Sequence, residues 1–168
     1  MLPTLLAAAG VPDVKEQLAK GMKVDDKTFK VHLDGYNIID ALAGKSPDPR
    51  HEFFYFNDDG SLVGLRYDNW KIVFAEQRAE GFDVWQEPFV PLRLPKVFNL
   101  RSDPFEKADK IAMGYTKWRA DRTFLLVPAQ RYIGQFLATF QEFPPSQKVG
   151  SFSLDQVLET LQKGGGNK

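Results

Sequence analysis

The sequence predicts an α+β fold: an antiparallel sheet of about four strands with amphipathic helices packed on one face. Two short helical patterns closed by glycine open the chain, β-like runs separated by turn residues follow from His51, and apolar recurrences of three and four fill the C-terminal third. With 168 residues the simplest organisation is one domain over 1–163, long enough to bury roughly 70% of the surface of its unfolded form. Within it, 1–44 reads as a helical lead-in, 51–100 as the sheet and 103–163 as helices, with a disordered tail over 164–168.

Each element has a local reason. Pro3 suits a first helical turn and Gly10 a stop, so PTLLAAAG is a short helix. No Ser, Thr, Asp or Asn precedes it as a cap, and the helix is expected to continue a preceding chain. Asp13 and Glu16 have capping-box spacing and open a second helix through Ala19, with Gly21 just past its end. KVDDKTFKVHLDG has turn chemistry at both ends of an extended core, and Ile38 to Leu42 is one helical turn or two, closed by Gly44. HEFFYF, LVGLRY and WKIVFAEQ, separated by NDDGS and by Asp68-Asn69, form an antiparallel meander. In the last of these, alternation turns Trp70, Ile72 and Phe74 toward the helices and Lys71 away.

The Pro-rich stretch from Glu80 to Pro95 is too irregular for helix or strand, and KVFNL is a fourth strand. Asp103-Pro104-Phe105-Glu106 places an acidic cap, Pro and Glu where a helix start needs them, so a helix begins there or shortly after. Leu125, Ala129, Tyr132, Ile133, Phe136, Leu137 and Phe140 make one long amphipathic helix, ended by Phe143-Pro144-Pro145. Ser153 with Gln156 caps another, with Leu154, Val157, Leu158 and Leu161 as its apolar stripe and Gly164 as its stop.

Composition removes several function classes. Lys+Arg and Asp+Glu are both 22, and no polybasic block offers the phosphate contacts that nucleic-acid binding requires. Without cysteine there is no disulfide, thiolate metal site or cysteine nucleophile. The run LPTLLAAAGVP is about half of a membrane span, and no basic stretch precedes it as in a signal peptide. Neither nucleic acid nor membrane is expected as a partner, and the residues assign no compartment.

Candidate chemistry is sparse. There is no GxGxxG or Walker pattern. Asn57, Asp58 and Asp59 supply too few oxygens for calcium and read as a solvated turn. His32 and His51 lie outside any metal-ligand spacing and read as ordinary surface or strand positions. Phe82, Trp85 and Phe89 lie in the long loop, where they are either anchors onto the sheet or the lining of a substrate pocket; they are the substrate-binding candidates.

PTLLAAAGVPD, VHLDGYNIIDALAG, EFFYFNDDGSLVGLRYDNWKIVF and KVFNLRSDPFEKAD, in this order and spacing, resemble the C-terminal part of bacterial arylsulfatases, formylglycine-dependent enzymes of the alkaline-phosphatase superfamily. The resemblance runs from Leu2 to about Asp109 and is specific only as a set; AQRYIGQFLATFQEFPPSQK resembles one arylsulfatase branch. For an intact enzyme it implies a large α/β domain in which a Cys or Ser of C/S-x-P-x-R becomes formylglycine, acidic residues and an Asn hold calcium, and Lys and His contact the sulfate. Those parts precede the PTLLAAAG helix, so this chain is expected to hold no catalytic residue, no metal site and no cofactor.

GKSPDPRHE tests that expectation, because Ser46 and Arg50 have the end-to-end spacing of the formylglycine motif. Pro47 and Pro49 stand one and three residues after Ser46, with Asp48 where the motif requires Pro. The register is wrong, and the prolines make the segment a stiff connector into the sheet. The sequence therefore reads as a fragment of a sulfuric ester hydrolase, inactive alone, with the N-terminal catalytic domain as its partner and self-association as the fate of the isolated chain. The alternative is a free-standing interaction module derived from the same domain.

Overall fold

The structure, a computed structural model, describes residues 1–145, 149–151 and 153. It is α+β, with a four-stranded antiparallel sheet and a separate two-stranded hairpin. Helices α1 (Leu2–Ala8), α2 (Val14–Lys20) and α3 (Ile39–Leu42) surround hairpin strands β1 (Met22–Val24) and β2 (Lys27–Phe29) in the chain. The sheet strands are β3 (Glu52–Phe56), β4 (Leu62–Tyr67), β5 (Trp70–Glu76) and β6 (Val90–Asn99), in the spatial order β3-β4-β5-β6. Helices α4 (Ala108–Ile111), α5 (Tyr115–Ala120) and α6 (Leu126–Glu142) follow. The expected Ser153 capping box and the 164–168 tail lie outside the described residues.

Two compact units are present. The first comprises Met1–Phe53, Arg66–Asn69 and Thr123–Pro144; the second comprises Phe54–Leu65, Trp70–Arg122 and the described residues from Pro145 onward.

The first unit is organised around Thr4, which is 5% exposed. Its hydroxyl donates to Tyr36 O at 3.0 Å and accepts from Ile38 N at 3.3 Å, so α1 is fastened to the segment before α3. Gly35 allows the approach: a Cβ there would sit 2.9 Å from Pro3 Cδ. The Tyr36 hydroxyl donates to Glu52 Oε1, and that hydrogen bond together with burial pushes the phenol up to about 12. Lys15 of α2 stands 4.9 Å from the centre of the Tyr36 ring. Helix α6 belongs to the same unit, where Tyr132 stacks on Tyr67 at 4.6 Å and Glu142 pairs with Lys30 at 2.9 Å.

Two expectations for the lead-in change. The region over 1–44 is not wholly helical, because KVDDKTF closes as a hairpin with Met22 opposite Phe29 and Asp25 at φ 52 in the turn. Strands of three residues are too short to display a period, so only their turn chemistry was legible. Asp13 does precede α2, yet no capping box forms; its carboxylate instead accepts from Gln17 Nε2 at 2.9 Å.

In the second unit the sheet ends on β6, which is longer than the expected KVFNL. It begins at Val90, within the stretch read as irregular, and holds Pro91 and Pro95. An outer strand tolerates proline because half of its amides need no partner strand. Pairing runs Trp70↔Asn99 to Val73↔Lys96, then resumes at Ala75↔Pro91, with an irregularity between. The outward backbone groups of Val97 are closed by α5: Val97 N donates to the Tyr115 hydroxyl at 3.2 Å, and that hydroxyl donates to Val97 O at 3.0 Å. Val97 is 1% exposed and Leu65, on β4, likewise.

The alternation on β5 holds in part. Ile72 is buried, and Trp70 stacks on Trp118 of α5 at 6.1 Å. Lys71 is not solvated as expected: its side chain is 18% exposed, its ammonium donates to both Glu106 oxygens at 2.6 and 2.8 Å, and it stands 4.7 Å from the centre of the Tyr55 ring. The helix after DPFE begins at Ala108. Asp103 accepts from the amides of Lys107 and Ala108 at 3.0 and 2.8 Å, whereas Glu106 sits at φ 54 and serves Lys71.

Two stability measurements follow from these contacts. Tyr115→Phe keeps the ring but leaves the buried Val97 N–H and C=O without their partner, and urea unfolding should show a loss of about 1–3 kcal/mol. Gly35→Ala should destabilise by roughly 1–3 kcal/mol, because Pro3 is ring-locked and the added methyl forces α1 outward; an unchanged unfolding midpoint would mean that α1 is not held there.

Candidate functional site

The loop aromatics chosen from sequence face outward. Phe82 and Trp85 lie on a 3₁₀ turn over Gly81–Trp85 and are 81% and 80% exposed, while Phe89 is half-buried. The turn is more ordered than its composition suggests: Gln77 Nε2 donates to Glu87 O at 2.7 Å and to Val84 O at 3.3 Å, and Gly81 supplies a φ of +61. Phe82 and Trp85 are thus exposed to solvent in this chain.

The other sequence candidates are occupied locally. Ser46 donates to Pro47 O at 3.3 Å, and Arg50 Nε donates to Glu52 O at 3.0 Å, with its guanidinium 5.0 Å from the centre of the Phe53 ring. Asn57 Oδ1 accepts from Ser61 N inside its turn, and both Asp59 oxygens accept from Ser151 at 2.7 Å, which holds that carboxyl below its usual range. Among the described residues no group of three or more His, Asp or Glu is placed to hold a metal ion, and no described helix is long and apolar enough to cross a membrane.

A site that the sequence reading missed lies in the second unit, where the end of β6 meets α4 and α5. A cavity of about 430 Å3 opens there, predominantly apolar in lining. Its lining includes the rings of Phe98, Tyr115 and Trp118 and the small residues Ala108, Ala112 and Gly114. Tyr115 stacks on both neighbours, with Phe98–Tyr115 at 5.8 Å and Tyr115–Trp118 at 6.0 Å, and Arg122 stands 4.3 Å from the centre of the Trp118 ring. The polar residues of the lining are engaged in the fold. Asp103 caps α4, Ser102 Oγ donates to Asn99 O at 3.2 Å, and the Tyr115 hydroxyl serves Val97. The Tyr115–Trp118 pair, three residues apart after Gly114, was a legible signal for one wall; Phe98 could be joined to it only by the fold.

Near the same strand, Lys96 bridges Glu76 and Asp109, the latter at 2.6 Å. Burial lowers the lysine, but its two carboxylate hydrogen bonds outweigh that and hold it above its ordinary value; Glu76 is held low, chiefly by Lys96. In the first unit His51 Nδ1 meets Asp68 Oδ1 at 2.8 Å and the imidazole stacks on Tyr67, whose own phenol is pushed up to about 12 by its hydrogen bond with Tyr132.

No protein-family model matches this chain, and no curated protein matches it.

The His51–Asp68 pair makes a pH-dependent prediction. The carboxylate raises the imidazole above its ordinary value through the hydrogen bond and then through charge. A group whose folded pKa is raised gives stability that is full below its unfolded value and is lost as pH rises through the folded one. NMR titration of His51 should therefore show a midpoint above that of a free histidine, and Asp68→Asn should lower it; equal midpoints would place the two groups apart in solution.

Proposed function

We propose that this chain is the C-terminal part of an arylsulfatase, a sulfuric ester hydrolase, and supports the enzyme without carrying its chemistry. The observation that supports the reading most is the correspondence between the resembling segments and successive elements. EFFYF is β3, LVGLRY is β4, WKIVFAE is β5, KVFN closes β6, and Asp103 of the following DPFE caps α4. PTLLAAAG and VHLDGYNI, far apart in sequence, meet through Thr4 and Gly35.

In this reading formylglycine and calcium belong to the N-terminal catalytic domain, which is the partner. The apolar residues offered to it are Leu2 and Leu5 on α1, and Phe82 and Trp85 on the loop turn, all exposed here. An isolated chain then self-associates through the same residues. Phe82, Trp85 and Phe89 would touch substrate only as an edge contributed to a pocket that the partner builds.

The purified chain should hydrolyse nitrophenyl sulfate no faster than buffer, with or without calcium, and Ser46→Ala should change nothing. Sequencing the gene upstream of the Met1 codon gives the second arm: an in-frame C/S-x-P-x-R region supports the fragment reading. Turnover that Ser46→Ala abolishes, or an upstream sequence with no such region, overturns it, and the latter favours a free-standing interaction module.

A further inference from the structure

We propose that the cavity between the end of β6 and helices α4 and α5 is a binding site for a small, uncharged, planar aromatic molecule of one or two fused rings. This inference does not rest on the sulfatase reading; it stands on the lining, the size and the spent polar groups of the cavity.

At about 430 Å3, the space falls at the lower end of the range typical of small-molecule sites, which limits the ligand to a compact one. This slot is lined by three rings, Tyr115 being inclined by 26° to Phe98 and by 24° to Trp118, together with the small residues Ala108, Ala112 and Gly114. A Cβ built on Gly114 meets nothing within 4 Å, so the slot is open at that point rather than filled by a neighbour. Flat aromatic ligands gain from such a lining because ring contacts, edge-to-face ones included, add to the burial of area.

The absence of charge follows from the hydrogen bonds. The Asp103 oxygens accept from the amides of Lys107 and Ala108, Ser102 donates to Asn99 O, and the Tyr115 hydroxyl is held between Val97 N and Val97 O. Neutral amides leave the Asp103 carboxylate charged, so an anionic ligand would surrender its hydration and meet a like charge in the lining. A hydroxyl or ring N–H is compatible, since the slot is open to solvent and can leave one polar edge wet.

The walls are also placed to persist without a ligand. Phe98 and Tyr115 are buried, Tyr115 is fixed at both its ring and its hydroxyl, and Trp118 is clamped between Trp70 and Arg122. A site whose walls are ordered for structural reasons pays little to receive a ligand.

The test uses the full chain and 2-naphthol as probe, followed by 1H–15N NMR. Saturable one-to-one binding should shift the amides of Val97, Phe98, Ala112, Gly114, Tyr115 and Trp118. Decahydro-2-naphthol, which has the same skeleton without planarity, and naphthalene-2-sulfonate, which adds charge, should each bind at least about tenfold more weakly. Gly114→Leu and Ala112→Leu each add bulk from the connection between α4 and α5, and each should abolish binding while thermal unfolding shows the fold intact. The proposal is overturned if 2-naphthol does not saturate, if the saturated analogue binds as well, or if a folded slot-filling variant retains wild-type affinity. It is equally overturned if sedimentation shows a dimer that the slot-filling variants dissociate, since the slot would then receive a second copy of the chain.

Discussion

The hydroxyl of Tyr115 closes an open edge, and much of the second unit depends on it. Among the described residues strand β6 is the last of its sheet, so the N–H and C=O of Val97 point away from β5 with no described strand to receive them. A phenol can accept and donate at once, and Tyr115 does both at that one residue. Covering an edge in this way also blocks pairing with another chain. Once the hydroxyl is fixed, α5 has little freedom: its ring lies against Phe98, and one turn later Trp118 reaches Trp70. The slot beside these rings is a by-product of the same constraint. The helix is held at the strand by one long side chain, and the small residues before it do not fill the gap.

Charge then fixes the connection between β6 and α5. Glu106 occupies a left-handed backbone position that a non-glycine residue adopts at a cost, and its carboxylate is held there by Lys71. Lys96 ties Asp109 of α4 to Glu76 of β5. Partly buried ion pairs are weak evidence for net stability, since desolvation offsets much of the attraction. Their consequence here is geometric: both lysines leave the sheet, and both carboxylates lie in the segment that leads to α5.

The first unit is held by a different device, a buried threonine and a missing side chain. Thr4 meets two backbone groups around Tyr36, and Gly35 lets proline come close enough for that to happen. These contacts join α1 to the segment before α3, more than 30 residues away along the chain. Loop aromatics offered a weaker guide to function. Phe82 and Trp85 have the composition of a binding site but project into solvent, whereas the enclosed aromatic wall draws Phe98 from a strand and Tyr115 and Trp118 from a helix.

What the sequence determined by itself is local. The β-like runs LVGLRY and WKIVFAE, the glycine stops and the three-and-four spacing of α6 each act within a few residues, and those elements stand where the residues placed them. Asp103 also accepts from amides at the start of α4, although the N-cap position is Lys107 and the helix begins at Ala108 rather than Pro104. What tertiary structure decided involves partners far along the chain. Glu106 abandoned the capping role for Lys71, 35 residues away, because a charge-assisted bond to a shielded ammonium is stronger than one to an exposed amide. Pro91 and Pro95 lie in a strand because β6 is an edge, a property that belongs to the sheet and not to the segment. The aromatic slot likewise exists only where β6 and α5 meet, so no window of sequence contains it.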